Sequence, residues 1–165
     1  MEVTVRPART ADVRAIRQLV DLFAPRRILL SKATVTLFEE VPDFLVAEAD
    51  GQVVGCGALH VVWEDLGELR TLAVAPDSGG RGIGRALVEA LLVRARALGV
   101  SRVFCLTFER EFFASCGFVE IEGAPVTAEV YAQLLQSYDE GVAEMLDLER
   151  VKPNTLGNYR MLRLL

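Results

Sequence analysis

Short apolar blocks alternate along this chain with stretches whose apolar residues recur every three or four positions, a mixture that predicts interleaved strands and helices. Residues 3–6 predict a short strand. Thr10 is placed to cap a helix that carries Val13, Ile16, Leu19, Val20 and Phe23 on one face, with Asp12 near its positive end and Pro25 as its stop. Residues 26–32 then lead to a short helix running through Phe38. Apolar runs at 44–49 and 53–63 flank Asp50-Gly51, a pair that tolerates positive φ and predicts a hairpin. Residues 69–74 continue that meander.

The second half keeps the rhythm. A helix from Ile83 is expected to turn Leu87, Ala90, Leu91 and Leu98 inward and to stop at Gly99. Residues 103–106 form the next strand, 109–116 a short helix closed by Gly117, and 118–121 a strand. Thr127 begins a helix with Val130, Leu134 and Leu135 apolar, and 159–165 closes as a strand. No repeat, low-complexity tract or linker interrupts the order.

Composition adds bounds. The 165 residues suit one domain over 1–165, and 52% hydrophobic with 25% charged residues is a globular balance. Eighteen basic against 23 acidic residues give a net charge of -5, which opposes unspecific binding to nucleic acid. Cys56, Cys105 and Cys116 show no metal-ligand spacing and lie in apolar surroundings, so they read as buried free thiols in a reducing cytoplasm, with no metal. Neither an N-terminal signal nor an apolar run long enough for a bilayer is evident, and no membrane association is expected.

The chemistry concentrates in residues 69–92, LRTLAVAPDSGGRGIGRALVEALL, where an apolar strand, a glycine-dense turn and an amphipathic helix follow one another. Such a turn brings backbone N–H groups to a helix N-terminus, where they and the dipole attract phosphate. Gly80, Gly82 and Gly84 alternate with Arg81 and Ile83, which lets the backbone take positive φ and approach a ligand closely. The Lys-Ser/Thr of a Walker loop is missing, and Arg85 and Leu87 occupy the third-glycine positions of a dinucleotide fingerprint. A phosphorylated cofactor other than a nucleoside triphosphate or a dinucleotide is indicated.

Gly79-Gly80-Arg81-Gly82-Ile83-Gly84 resembles the acetyl-CoA motif of the GNAT acetyltransferase superfamily, in which Arg or Gln, two residues, Gly, one residue, then Gly or Ala follow one another. Gly79 departs from the usual first residue, leaving Arg81 and Arg85 to supply charge. The element order is also similar to that family's across nearly the whole chain. The resemblance implies an α/β fold with a central mixed, mostly antiparallel sheet flanked by helices, in which parallel strands at 69–74 and 103–107 splay beside the cofactor. Backbone groups of Leu72, Ala73 and Val74 would hold the pantetheine arm, and residues 79–85 the diphosphate. Phe112-Phe113-Ala114-Ser115-Cys116-Gly117-Phe118 resembles a second family motif, with Phe112 and Phe113 against the cofactor and Phe113 where many members have tyrosine. A phenyl ring donates no proton, so protonation of the departing thiolate must come from elsewhere.

The implied reaction is direct acyl transfer to a free amine, with the oxyanion held by backbone donors and CoA thiolate leaving. Glu68 matches the position where several members carry their base, and partial desolvation would raise its pKa toward the operating pH; its other reading is a solvated strand-end acid. Thr107 is the best hydroxyl for the leaving sulfur, or equally a cap for the helix at Glu109. His60, in an alternating strand, reads as structural.

Three segments, Ile28 to Lys32, Gly67 to Thr71 and Gly157 to Arg160, together resemble short bacterial amino-acid N-acetyltransferases of the N-acetylglutamate synthase kind. Carried over, Lys32 and Arg160 become carboxylate ligands, with Asn158 and Arg70 as further contacts; an arginine fork suits a carboxylate. The resemblance therefore implies acetylation of the α-amino group of glutamate, or of glutamine, at the entry to arginine biosynthesis, and, as the family often pairs subunits, a homodimer. Acetylation of another small amine or a protein N-terminus, and a non-catalytic acetyl-CoA sensor, stand as alternatives.

Overall fold

A computed structural model describes residues 2–23 and 33–165. Its strands run in the hydrogen-bonding order β1-β2-β3-β4-β5-β7-β6. They are β1 Val3–Pro7, β2 Phe44–Ala49, β3 Gln52–Trp63, β4 Leu66–Val74, β5 Arg102–Thr107, β6 Val119–Glu120 and β7 Tyr159–Leu164. Pairing is antiparallel for β1 with β2, β2 with β3, β5 with β7 and β6 with β7, and parallel for β4 with β5. The mixed, mostly antiparallel sheet expected from the sequence is present. By contacts the chain forms two compact units, residues 1–60 with 69–98, and residues 61–68 with 99–165.

In the first unit, α1 (Val13–Phe23) and α2 (Thr34–Glu39) cover one face of the strands. Val13, Ile16, Leu19 and Val20 of α1 and Leu37 of α2 pack with Phe44, Val46, Cys56, Ala58 and Ala73 in one apolar cluster. The alternation of β3 sends Gly55 and Gly57 to the opposite face, where α3 (Ile83–Ala97) lies. A Cβ on Gly57 would stand 3.0 Å from Leu91 Cδ1 and 3.1 Å from Leu72 Cδ1, so hydrogen at this position is what lets the helix come so close. Ile83, Leu87, Val88, Leu91, Leu92 and Ala95 form its buried stripe. Leu98, expected to point inward, is 55% exposed, because the stripe ends one turn earlier at Ala95.

The hairpin at Asp50-Gly51 is as read, with φ of 52° and 76°. Thr10 is not a helix cap: it opens a 3₁₀ turn, Thr10–Asp12, that runs into α1. The capping acceptor is Asp12, whose Oδ2 receives the Arg9 N–H at 2.7 Å while both its oxygens take the Arg6 guanidinium at 2.8 and 2.9 Å. Arg6 also donates to Glu48 Oε2 across the β1–β2 pair. The guanidinium holds the Asp12 carboxyl below the ordinary carboxylate range, against the opposing effect of burial.

In the second unit, β5, β7 and the opening residues of β4 carry a second apolar cluster. Leu66 and Phe104 pack there with Leu134, Val142, Met145 and Leu146 from α5 (Ala128–Leu134) and the start, end and C-cap of α6 (Glu140–Met145). Thr127 caps α5 as expected, its hydroxyl accepting from Val130 N–H at 3.3 Å. Leu135 lies just past the helix and is half exposed. The α6 helix and the short α7 (Lys152–Thr155) have no counterpart in the sequence reading. On the other sheet face, α4 (Arg110–Ser115) follows β5, and Gly117, at φ 89°, ends it. The strand expected at 118–121 shrinks to β6, two residues paired with Leu162 and Met161. Among the described residues no helix is long and apolar enough to cross a membrane.

Candidate active site

In the first unit the expected cofactor turn is built by β4 and α3. The end of β4 is tied to β3 by the Ala75 N–H bonded to Val54 O at 2.8 Å, and residues Pro76–Ser78 make a 3₁₀ turn with Ser78 buried. Gly79 is extended, Gly80 sits at φ 77°, and Gly82, at φ 73°, is the N-cap of α3. Nothing lies within 4 Å of a Cβ built on Gly80 or Gly82, so glycine is required there by backbone conformation and leaves the approach to the turn clear. Gly84 does not share this role; it lies in the first turn of α3. The first intrahelical bond runs from Ala86 N–H to Gly82 O at 3.0 Å, so the N–H groups of Ile83 and Gly84 point beyond the helix end. Arg81 and Arg85 are exposed beside them. Helix dipole, amides and two cations gather at this end of α3, an arrangement whose chemistry suits a diphosphate.

Leu72 and Val74 are half-buried on β4 and Ala73 is buried. Just before them stands a feature with no signal in the sequence: Thr71, a β-branched strand residue, has φ 55°. That region is costly for such a side chain and persists only where the surroundings impose it. Arg70 lies on the same strand, half-buried. Lys32 falls outside the described residues.

The second unit holds Glu68, Thr107, Asn158 and Arg160. Glu68 is 4% exposed and pairs in register with Phe104, which places both on one sheet face. Arg160 pairs with Leu106 on that face, and its guanidinium carbon lies 5.2 Å from the Phe104 ring centroid. Two carbonyls fix the arginine: Nε donates to Gly123 O at 2.8 Å, and Nη2 to Met145 O at the end of α6. Nη1 makes no bond among the described residues. Burial pulls the Arg160 pKa down while the Asp147 and Glu68 carboxylates pull it back up; an arginine keeps its proton regardless. The result is a half-buried cation held by neutral oxygens, with one edge of its fork unspent.

Thr107, three residues from Phe104 on an unbroken strand, points to the opposite face. Its Oγ1 accepts the Glu109 N–H at 2.8 Å, a bond within the turn rather than a cap, since Glu109 is itself the N-cap of α4 and that end has no side-chain cap, and the hydroxyl hydrogen remains a donor. The structure thus separates Thr107 from the Glu68 and Arg160 pair. Asn158 Oδ1 is buried without a partner among the described residues, while Nδ2 reaches Asn154 O at 3.5 Å. Phe113 is buried and meets Phe112 and Phe118 edge to face at 5.1 and 5.3 Å. These rings pack as a cluster, and Phe112 keeps partial exposure.

Among known proteins, the family model for acetyltransferases of the GNAT family matches residues 14–118. The chain belongs to the GNAT family. It is an acyltransferase, and acetyl-CoA is its co-substrate. The chain is 62% identical over 164 residues to an amino-acid acetyltransferase of Mycobacterium tuberculosis, covering 98% of this chain and 94% of that one. A Mycobacterium tuberculosis crystal structure in complex with CoA and NLQ superposes with a TM-score of 0.96 at 62% identity, covering 98% and 99% of the two chains. N-acetylglutamate synthase from Neisseria gonorrhoeae, solved with coenzyme A and N-acetyl-glutamate, gives a TM-score of 0.80 at 26% identity; all of this chain matches 35% of that one.

Two groups escaped the sequence reading. The carbonyls of Gly123 and Met145 carry no side-chain signature. The α6 helix did leave one, since Asp139 precedes Val142, Met145 and Leu146 at helical spacing and its Oδ1 accepts the Val142 N–H at 2.9 Å.

Proposed function

We propose that this GNAT acyltransferase moves the acetyl group of acetyl-CoA directly to the α-amino group of L-glutamate, with L-glutamine as a second acceptor, and so opens arginine biosynthesis. The observation that carries this reading is Arg160, a cation held by two backbone carbonyls with a free edge of its fork toward an incoming carboxylate. A neutral small amine has no use for such a group. Glutamate brings two carboxylates, and Lys32 is the second cation proposed, with Asn158 and Arg70 as further polar contacts. The name of the Mycobacterium tuberculosis relative and the N-acetyl-glutamate bound to the Neisseria gonorrhoeae enzyme support the same acceptor class.

In the proposed reaction Glu68 takes the proton of the substrate ammonium, directly or through a water. The amine nitrogen then bonds to the thioester carbon, the C–S bond breaks, and the proton that this nitrogen gives up on becoming an amide passes through the Thr107 hydroxyl or water to the departing thiolate. Residues 79–85 hold the diphosphate and Leu72, Ala73 and Val74 the pantetheine arm, so binding energy from the remote nucleotide orients the reacting carbonyl. Thr107, on the sheet face opposite Glu68, is proposed as the hydroxyl that meets the leaving sulfur from that side while Glu68 serves the amine from the other, and Phe112 and Phe113 as apolar walls of the donor site.

A screen of acyl acceptors with detection of released thiol tests the reading. Turnover is expected with glutamate and, more weakly, with glutamine. Glutamate failing while peptides or polyamines turn over rejects the assignment, and stoichiometric cofactor binding with no turnover on any amine points to a sensor.

A further inference from the structure

We infer that Cys56 is a positioning residue for the acyl donor: its side chain pins the left-handed bend of β4 at Thr71 and thereby aims the backbone of residues 72–74. The inference rests on the proposed reading that these residues hold the pantetheine arm.

The bend needs a cause. A β-branched residue at φ 55° inside a strand is strained, and an isolated β4 would relax it to the extended form. Cys56 lies on β3 with its side chain fully buried, and its Sγ–H donates to Thr71 O at 3.5 Å. The Ala73 N–H faces the same sulfur. One thiol therefore holds the carbonyl on the near side of residue 72 and the amide on its far side. Holding both groups keeps residues 71–73 from flattening. Burial pushes the Cys56 thiol up to about 12, so it stays protonated and able to donate across the neutral range. The side chains that share its cluster, Val13, Ile16, Val20, Phe44 and Val46, are all apolar.

Gly55 and Gly57 complete the arrangement. They flank Cys56 on β3 and face α3, where a Cβ on Gly55 would lie 3.3 Å from Ala73 O. Backbone of β3 and β4 is thus close on one face while the sulfur bridges on the other. Serine offers the same donor and acceptor on a shorter arm; alanine and valine offer neither.

Calorimetric binding of acetyl-CoA to Cys56→Ala, Cys56→Val, Cys56→Ser and the control Val46→Ala tests this, alongside thermal melting of each. Val46 is fully buried in the same cluster and makes no polar contact with β4 through its side chain. The Ala and Val variants are expected to bind acetyl-CoA about five- to tenfold more weakly, the size of one net hydrogen bond. Their KM for the amino acid stays unchanged; Cys56→Ser recovers most of the loss, and Val46→Ala lowers the melting temperature without weakening the donor. Should Cys56→Ala fail to fold, the volume-preserving Cys56→Val carries the comparison. Equal donor affinity in wild type and either apolar variant, or equal weakening by Val46→Ala, overturns the inference. Absence of acetyl-CoA binding by the wild type overturns instead the donor-site reading on which it rests.

Discussion

Arg160 stacks on Phe104 with its guanidinium carbon 5.2 Å from the ring centroid, and the face of the ring thereby supports a charge that no carboxylate among the described residues contacts directly. Desolvation of a cation without an ion-pair partner is unfavourable, and the arrangement makes sense where a carboxylate arrives with the substrate. Arg160→Ala is expected to raise the KM for glutamate by the equivalent of about 1.5–3 kcal/mol, with little change for acetyl-CoA. Arg160→Lys should recover only part, since an ammonium cannot keep both carbonyl bonds and present a planar edge. Steady-state kinetics with each substrate varied in turn reads the split; equal damage to both KM values would assign Arg160 a role in folding alone.

Glu68→Gln preserves the size of a side chain that is almost wholly buried and removes its capacity to take a proton. Turnover should fall by about 10²–10⁴, the usual contribution of a general base, while the calorimetric affinity for acetyl-CoA holds. An unchanged rate across the pH range would remove Glu68 from the mechanism.

Gly57→Ala places a methyl 3.0 Å from Leu91 Cδ1 and 3.1 Å from Leu72 Cδ1. Both contacts are to side-chain tips, so the helix or the side chains must shift, at an expected cost of about 1–3 kcal/mol. Denaturant unfolding should show a lower midpoint with an unaltered slope.

Asp12 makes part of the first unit's stability sensitive to acid. Its carboxyl pKa is lower in the folded chain than its ordinary value, chiefly through the Arg6 hydrogen bonds, so its contribution is complete above the unfolded value near 3.9 and is lost as the pH falls through the lower folded value. Asp12→Asn should lower stability at neutral pH by about 1.5–3 kcal/mol and shrink the stability difference between pH 6 and pH 3. Urea titrations at the two pH values measure it. A difference equal to that of the wild type would discharge Asp12 from this role.

All three cysteines are free and buried, and burial raises the thiol pKa of Cys56 and of Cys105. A thiol reagent should therefore label none in the native state and three after denaturation. Fast native labelling of Cys56 would contradict the packing around it.

What was legible in the sequence is what local geometry decides. Asp50-Gly51 and Gly82 announce positive φ by residue type, and Thr127 and Gly117 mark helix ends, because each acts within one turn of chain. Pattern carried less where partners are distant. β4 begins at Leu66 rather than at residue 69, since Glu68 becomes a strand residue by pairing with Phe104, 36 positions on. Thr71 reads as an ordinary strand former, and its bend comes from contacts with β3. The glycine turn was visible as residue types at a meaningful spacing, and Arg160 through the resemblance that residues 157–160 carry; the oxygens of Gly123 and Met145 that orient Arg160 belong to the backbone and leave no mark. Thr107 and Glu68 both sit on strands, yet only the register shows that they face opposite ways.

The insertion of β7 between β5 and β6 carries a cost in assembly. Arg102 to Thr107 must wait for Tyr159 to Leu164, and closing that ladder means surrendering the entropy of a loop of about fifty residues. Until it closes, one side of β5 is an open edge of unpaired amides and carbonyls, rich in apolar side chains and suited to capture by a neighbouring chain. Premature termination ahead of Tyr159 would make that exposure permanent, so the product should be found in inclusion bodies rather than as a weakened enzyme.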